Sequence, residues 1–152
     1  MTPGRAPMQG SGAARTQPFI EDVAVGQELP VVVRNASRVQ LFLYSAATWN
    51  PHRIHYDVDY ARFEGHPDVI VHGPLQGAWL SQYVTDWAGP RGRILGLSWQ
   101  NRASALPELD YEFRGRVTAV EGDVVSLDVW EQTPEGAVLM PGQATVRLPN
   151  RS

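Results

Sequence analysis

The segment from Gly73 to Pro90 constrains this chain more than any other. Gly73 precedes Pro74, whose missing N–H costs nothing at a first helical position, and Gly89-Pro90 closes the run. Between them Leu75, Ala78, Trp79, Leu80, Tyr83, Val84 and Trp87 cover well over one face of a helix over 74–88. A helix apolar on most sides has to be buried on most sides. In a chain of 152 residues, the direct way to bury it is to wrap a sheet around it.

The remainder supplies that sheet. Leu95, Leu97 and Trp99 are expected to face one way, and Ser98, Gln100 and Arg102 the other. The same period of two runs through Tyr111, Phe113, Val117 and Ala119, then Val125, Leu127 and Val129, then Ala144, Val146 and Leu148. Turns fall at Glu121-Gly122-Asp123 and Pro134-Glu135-Gly136, and Pro141-Gly142 marks a bulge or an edge position. Earlier, a strand over about 29–34 centres on Val31-Val32-Val33. Ser37 and Gln40 then form an S-x-x-Q capping box. It opens a helix over 38–48, with Val39, Phe42, Leu43 and Ala46 as its apolar stripe. Asn50-Pro51 ends this helix, and 50–72 is a polar connection with one helical turn near Asp57 to Phe63. Helices and strands do not alternate, so the class is α+β, with a single domain over 19–152.

Residues 1–18 are rich in Gly, Pro, Ala, Ser and Thr without apolar periodicity, and a disordered arm is expected there. The arm has no apolar core of a signal peptide. It carries Arg5 and Arg15 and no acid, as transit peptides do, but its Gly and Pro content opposes an amphipathic helix. Cysteine is absent, which excludes disulfides, thiol nucleophiles and cysteine-held metals. All 13 basic residues are arginine, which excludes lysine Schiff-base chemistry. A formal charge of −3 leaves no bulk nucleic-acid footprint, and no apolar run is long enough to span a membrane. A cytoplasmic location is the expectation.

All four histidines, His52, His55, His66 and His72, lie between the two helices, with Asn50, Arg53, Asp57, Asp59 and Asp68. A polar segment held between buried helices is a good place for a site. His52, His55 and Asp57 are near enough to share a metal if the loop turns, yet no established ligand spacing is present and no metal is expected. Neither a G-x-S-x-G elbow nor a dinucleotide or P-loop pattern occurs. General acid–base catalysis by a histidine is the remaining reading, with the Gly73-Pro74 helix start offering a dipole end and the Gly73 N–H for an oxyanion. The competing reading is that Gly73 and Pro74 only cap a helix.

Asn50-Pro51-His52-Arg53-Ile54-His55-Tyr56-Asp57, then Tyr60-Ala61, then Val71-His72-Gly73-Pro74-Leu75, resembles the motif of MaoC-like (R)-specific enoyl thioester hydratases and dehydratases. The family pattern is D-x-N-P-[IL]-H-x-D followed by V-H-G. The likeness is strongest to a subgroup with mitochondrial 3-hydroxyacyl thioester dehydratases and mesaconyl-type CoA hydratases, and it spans roughly 20–149, including Gly96 to Arg102. It implies a hot-dog fold, an antiparallel sheet around a long central helix. It also implies a dimer or pseudo-dimer, acyl-thioester metabolism of the fatty-acid kind, and no cofactor. Residue by residue, the family histidine falls on His55 and the thioester-binding glycine on Gly73. The family aspartate falls on Asn50, and its asparagine and proline fall on His52 and Arg53. Pro107-Glu108-Leu109 stands where many relatives have Pro-Gly-Asp.

The resemblance implies reversible hydration of a 2-enoyl thioester of coenzyme A, or dehydration of the 3-hydroxyacyl thioester on coenzyme A or acyl carrier protein. His55 would act as acid and base, Gly73 as enolate donor and Asn50 as the group orienting water. Arg53, His72, Trp49, Tyr44 and Arg102 are the expected substrate-side residues, with Arg91 and Arg93 as further phosphate candidates. His72 is alternatively structural, bonding across the loop. Two other readings stay open. A hot-dog thioesterase would want a carboxylate early on the central helix, where the first acid is Asp86. A non-catalytic chain would pair with another hot-dog subunit, a possibility that Asn50 raises.

Overall fold

A computed structural model describes residues 16–151. Five antiparallel strands, β1 (Val32–Arg34), β2 (Arg93–Trp99), β3 (Tyr111–Glu121), β4 (Val124–Gln132) and β5 (Val138–Arg147), form one sheet in the order β1-β3-β4-β5-β2. Three helices precede or fill it: α1 (Arg38–Ala47), α2 (Val58–Phe63) and α3 (Gly73–Ala88). α3 lies against the sheet and buries Leu75, Gly77, Leu80, Tyr83, Val84 and Ala88, as its apolar girth requires. Among the described residues no helix is long and apolar enough to cross a membrane.

The core has two parts. The larger packs Leu80, Tyr83 and Val84 of α3 against Phe113, Val125, Leu127, Val129, Met140 and Val146 of the sheet. The smaller gathers Leu41 of α1, Ala61 of α2 and Leu75 of α3 with Val69, Val71 and Tyr111. Trp79 touches both.

Several expectations are corrected. In β2, Ile94 pairs with Val146 and Gly96 with Thr145, so Leu95 is a bulged extra residue. The bulge turns Leu95 outward and sets Ile94 and Leu97 on the core. An equivalent irregularity at Thr118 puts Val120 rather than Ala119 on the core. Pro141 is not on an edge, because β5 lies between β4 and β2. The bulge is two residues earlier, at Leu139, where Glu131 pairs with Met140 and Gln132 with Val138. The first strand is three residues long, not six.

The stripe read along α1 is the largest correction. Val39, Phe42 and Leu43 are 68%, 58% and 59% exposed, while Leu41 and Ser45 are buried. Ten residues accommodate two apolar stripes one step apart, and α1 packs through Leu41, Tyr44 and Ser45 because that face meets the smaller core and His72. The Ser37 Oγ cap is present, accepting the Gln40 N–H at 3.1 Å.

Of the arm expected over 1–18, residues 1–15 lie outside the described residues. Gln17 is tied to the end of α3: its Nε2 donates to the Ala88 carbonyl at 3.1 Å and its Oε1 accepts the Arg91 N–H at 2.7 Å. Glu108 adopts φ 61°, a left-handed conformation that glycine takes without strain. Its N–H donates to the Ala36 carbonyl at 2.7 Å and its carboxylate faces Arg38 at 3.4 Å, which hold the turn without the glycine.

Candidate active site

The end of α1 is built as a Schellman motif. The Asn50 N–H donates to the Ser45 carbonyl at 2.9 Å and the Trp49 N–H to Ala46 at 3.3 Å, with Trp49 at φ 53° where glycine is usual. Asn50 Oδ1 accepts the His52 N–H at 3.2 Å, and a single 3-10 turn, Arg53–His55, follows. Asp57 then caps α2 by accepting the Tyr60 N–H at 3.1 Å.

His55 emerges from that turn only 7% exposed. Its Nδ1 lies 2.8 Å from the Ile70 carbonyl. A carbonyl only accepts, so Nδ1 carries the proton and Nε2 keeps a free lone pair. Burial pushes the His55 pKa below the ordinary histidine value, against the Ile70 hydrogen bond that raises it, and His52 and His66 push it further down. The ring stays a neutral base at neutral pH.

His72 lies directly against it. The two imidazoles stack with centroids 3.7 Å apart and planes 17° apart. His72 is fully buried, its Nε2 is hydrogen-bonded to Ser45 Oγ at 2.8 Å, and Tyr44 meets it edge-on at 4.7 Å. Burial, and then the neighbouring His55, lower the His72 pKa to about 4. The pair therefore enters neutral pH uncharged. The next residue, Gly73, opens α3. The N–H groups of Leu75 and Gln76 both reach the His72 carbonyl, and Pro74 has none, so the Gly73 N–H is the first-turn donor left over.

A cavity of about 200 Å³ opens at this helix start, lined by Ile70, Gly73, Gln76, Asn101, Arg102 and Ser104. Gly73 and Arg102, both singled out in the sequence, thus share one cavity, and His55 is tied to it through Ile70. Other expected residues lie elsewhere. Trp49 is 90% exposed and does not line this cavity. The Arg53 guanidinium pairs with Asp57 at 2.6 Å and covers the Tyr60 ring at 4.6 Å, so it is engaged within its own segment. Arg91 lies over the Phe19 ring. Among the described residues no group of three His, Cys, Asp or Glu is placed to hold a metal.

Ser45, Gln76, Asn101 and Glu131 escaped the sequence reading. Glu131 had a signal: it continues the inward positions of Val125, Leu127 and Val129, where a carboxylate is out of place. It is fully buried, accepts the Gln76 Nε2–H at 2.6 Å, and burial raises its pKa to about 7, an effect the Gln76 hydrogen bond only partly offsets.

Comparison with known proteins bears on this arrangement. Residues 17–105 match the family described as hydroxyacyl-thioester dehydratase type 2. The chain belongs to this family. It is 36% identical over 109 residues, 71% of its length, to a mesaconyl-C(4)-CoA hydratase of Chloroflexus aurantiacus, but covers only 36% of that protein. It is 29% identical over 111 residues to the 3-oxo-4,17-pregnadiene-20-carboxyl-CoA hydratase beta subunit of Mycobacterium tuberculosis, covering 69% of this chain and 81% of that one. The chain spans about a third of the first relative's length and most of the second's. The (R)-hydratase of A. caviae superposes with a TM-score of 0.76 at 22% identity over 85% of this chain and 99% of that one. The curled sheet around α3 is therefore the hot-dog fold of this dehydratase family, as its sequence motif implied.

Proposed function

We propose that this family member catalyses reversible hydration of a 2-enoyl thioester, with coenzyme A as carrier. The observation that carries this reading is the His55 tautomer: Nδ1 is committed to Ile70, which leaves Nε2 as the basic nitrogen, and the ring is stacked on His72, the residue just before the N–H that opens α3. In the dehydration direction Nε2 takes the α-proton, the C–H electron pair forms the enolate, and the Gly73 N–H donates to its oxygen. The enolate then expels the β-hydroxyl, which leaves as water with the proton His55 returns. Hydration reverses these steps. One imidazole serves both proton transfers when the elimination is syn.

His72 is the positioning residue of this site. Stacked on His55 and fixed by Ser45, it holds the ring plane and stays uncharged. Asn50 uses its Oδ1 locally, so its Nδ2 is the end available to hold water. Arg102 serves the carrier's phosphates. The chain works as a dimer, with itself or with another hot-dog chain. The support is the open edge at β2, the exposed Val39, Phe42 and Leu43, and the naming of one relative as a beta subunit.

The test is ultraviolet absorbance of enoyl-CoA thioesters of varied length and branching, with the chain alone and its mass measured by light scattering. Loss of the enoyl absorbance without thiol release is expected. Thiol release would replace hydration with thioester hydrolysis, and inactivity until a second hot-dog chain is added would make this chain one half of a heteromeric enzyme. Asn50→Asp sharpens the base assignment. A carboxylate beside His55 raises its pKa, so the acidic limb of the rate profile moves to higher pH. An unmoved limb would take Asn50 out of the site.

A further inference from the structure

We propose that Asn101 supplies a second hydrogen-bond donor, beside the Gly73 N–H, to the thioester oxygen as it becomes an enolate. This rests on the hydration reading above and adds a catalytic residue to it.

The first turn of α3 leaves a gap that invites such a donor. Pro74 has no N–H, and those of Leu75 and Gln76 are taken by the His72 carbonyl, so the turn presents Gly73 alone. A developing oxyanion is held best by more than one donor aimed at it in advance. The Asn101 side chain fills the place beside it. A Cβ built on Gly73 would overlap Asn101 Nδ2, whereas Asn101 Oδ1 lies 3.8 Å from the same point. The amide therefore turns its donor end toward Gly73.

A Cβ stands about 2.5 Å from its own backbone nitrogen, so Nδ2 and the Gly73 nitrogen are within about 4–5 Å of each other. Two nitrogens at that spread can both reach one oxygen at about 2.9 Å. Among the described residues Nδ2 donates to nothing, and both groups line the same cavity. The segment that carries Asn101 is pinned on either side. The Gln100 N–H donates to Pro141 at 3.0 Å and the Arg102 N–H to Leu139 at 2.9 Å, which fixes the donor to β5 before substrate arrives. The absence of a side chain at Gly73 follows: its backbone angles are ordinary, and the close approach of the amide is what demands glycine.

Steady-state kinetics of enoyl-CoA hydration by full-length wild type, Asn101→Ala and Asn101→Asp test this. Asn101→Ala should lower kcat about 10²-fold with little change in KM. Asn101→Asp, isosteric but lacking the donor, should be at least as slow, with a thermal midpoint near wild type. Aspartate activity equal to wild type would reduce Asn101 to packing. A raised KM at unchanged kcat would make it a carrier contact and overturn the proposal. If the alanine variant fails to fold, the isosteric aspartate decides alone. Wild type without hydratase activity on any enoyl thioester would remove the hydration reading and this inference together. An active wild type with unaffected variants would remove only this inference.

Discussion

The sheet with α3 and the segment over it, residues 37–72, obey different rules. Under the sheet, apolar residues are inside apart from Glu131 and its partner Gln76, and the alternation is reset at the bulges. Over the helix start the interior is mixed: Ser45, His55 and His72 are buried beside Leu41, Ala61, Val69 and Val71, while Val39, Phe42, Leu43 and Trp49 face outward. Burial of apolar area decides the first region. In the second, the smaller apolar cluster and the hydrogen bond to His72 together decide which face turns in.

Substitutions can break this contrast. The largest effect belongs to His55→Ala, which should lower kcat about 10²–10⁴-fold while the folded state persists. His52→Ala and His66→Ala should cost much less; a register error in the motif would reverse the order. Next in size are paired truncations on α1. Leu41→Ala should destabilise by about 3 kcal/mol as a core cavity, and its exposed neighbour Phe42→Ala by less than about 0.5 kcal/mol. Urea midpoints of equal size would return the inward stripe to Val39, Phe42 and Leu43.

The two regions also carry opposed titrations. His72, about 4 when folded, binds fewer protons folded than unfolded, so its contribution is lost as pH falls from about 6.5 to 4. Glu131, about 7 when folded against an ordinary 4.5, binds more protons folded, so its contribution is lost as pH rises from 4.5 to 7. Each is worth about 2–3 kcal/mol after screening, and between about pH 4.5 and 6.5 they offset. Glu131→Gln should therefore unmask stability that climbs with pH, and His72→Asn stability that falls. Denaturation at pH 4.5 and 7 checks this, and profiles parallel to wild type would refute the offset. A smaller effect, and a gain, is expected of Trp49→Gly. Relief of φ 53° should add about 1 kcal/mol to the thermal stability of the fold. No gain would mean that the exposed ring makes compensating contacts.

How far the sequence was legible follows the same division. The helix over 74–88 and the period-two strands announced a wrapped sheet, because burial leaves a periodic trace. The bulges at Leu95 and Thr118 left none, since an extra residue changes register without changing composition. In the proposed site, His55 and Gly73 stand in a contiguous motif and could be named from it. Ser45, Asn101 and Glu131 could not, for they come from α1, the segment after β2, and β4, and reach His72, Gly73 and Gln76 only through the fold. Trp49 was read as a pocket residue from its aromatic type, whereas its backbone angle is its contribution.

The division of the core into two clusters bridged by Trp79 has a dynamic consequence. The smaller cluster holds α1 and α2 over the site, and the larger holds the sheet. Cooperative opening follows such boundaries, and the unit with less buried apolar area opens first. Amides of 37–72 should thus exchange with deuterium faster than those of β3, β4 and β5. In rising urea the imidazole pair would come apart while the sheet still gives its full circular dichroism. The working lifetime of the proposed site is then set by a sub-global equilibrium around two rings, and a melting temperature read from the sheet would overstate it.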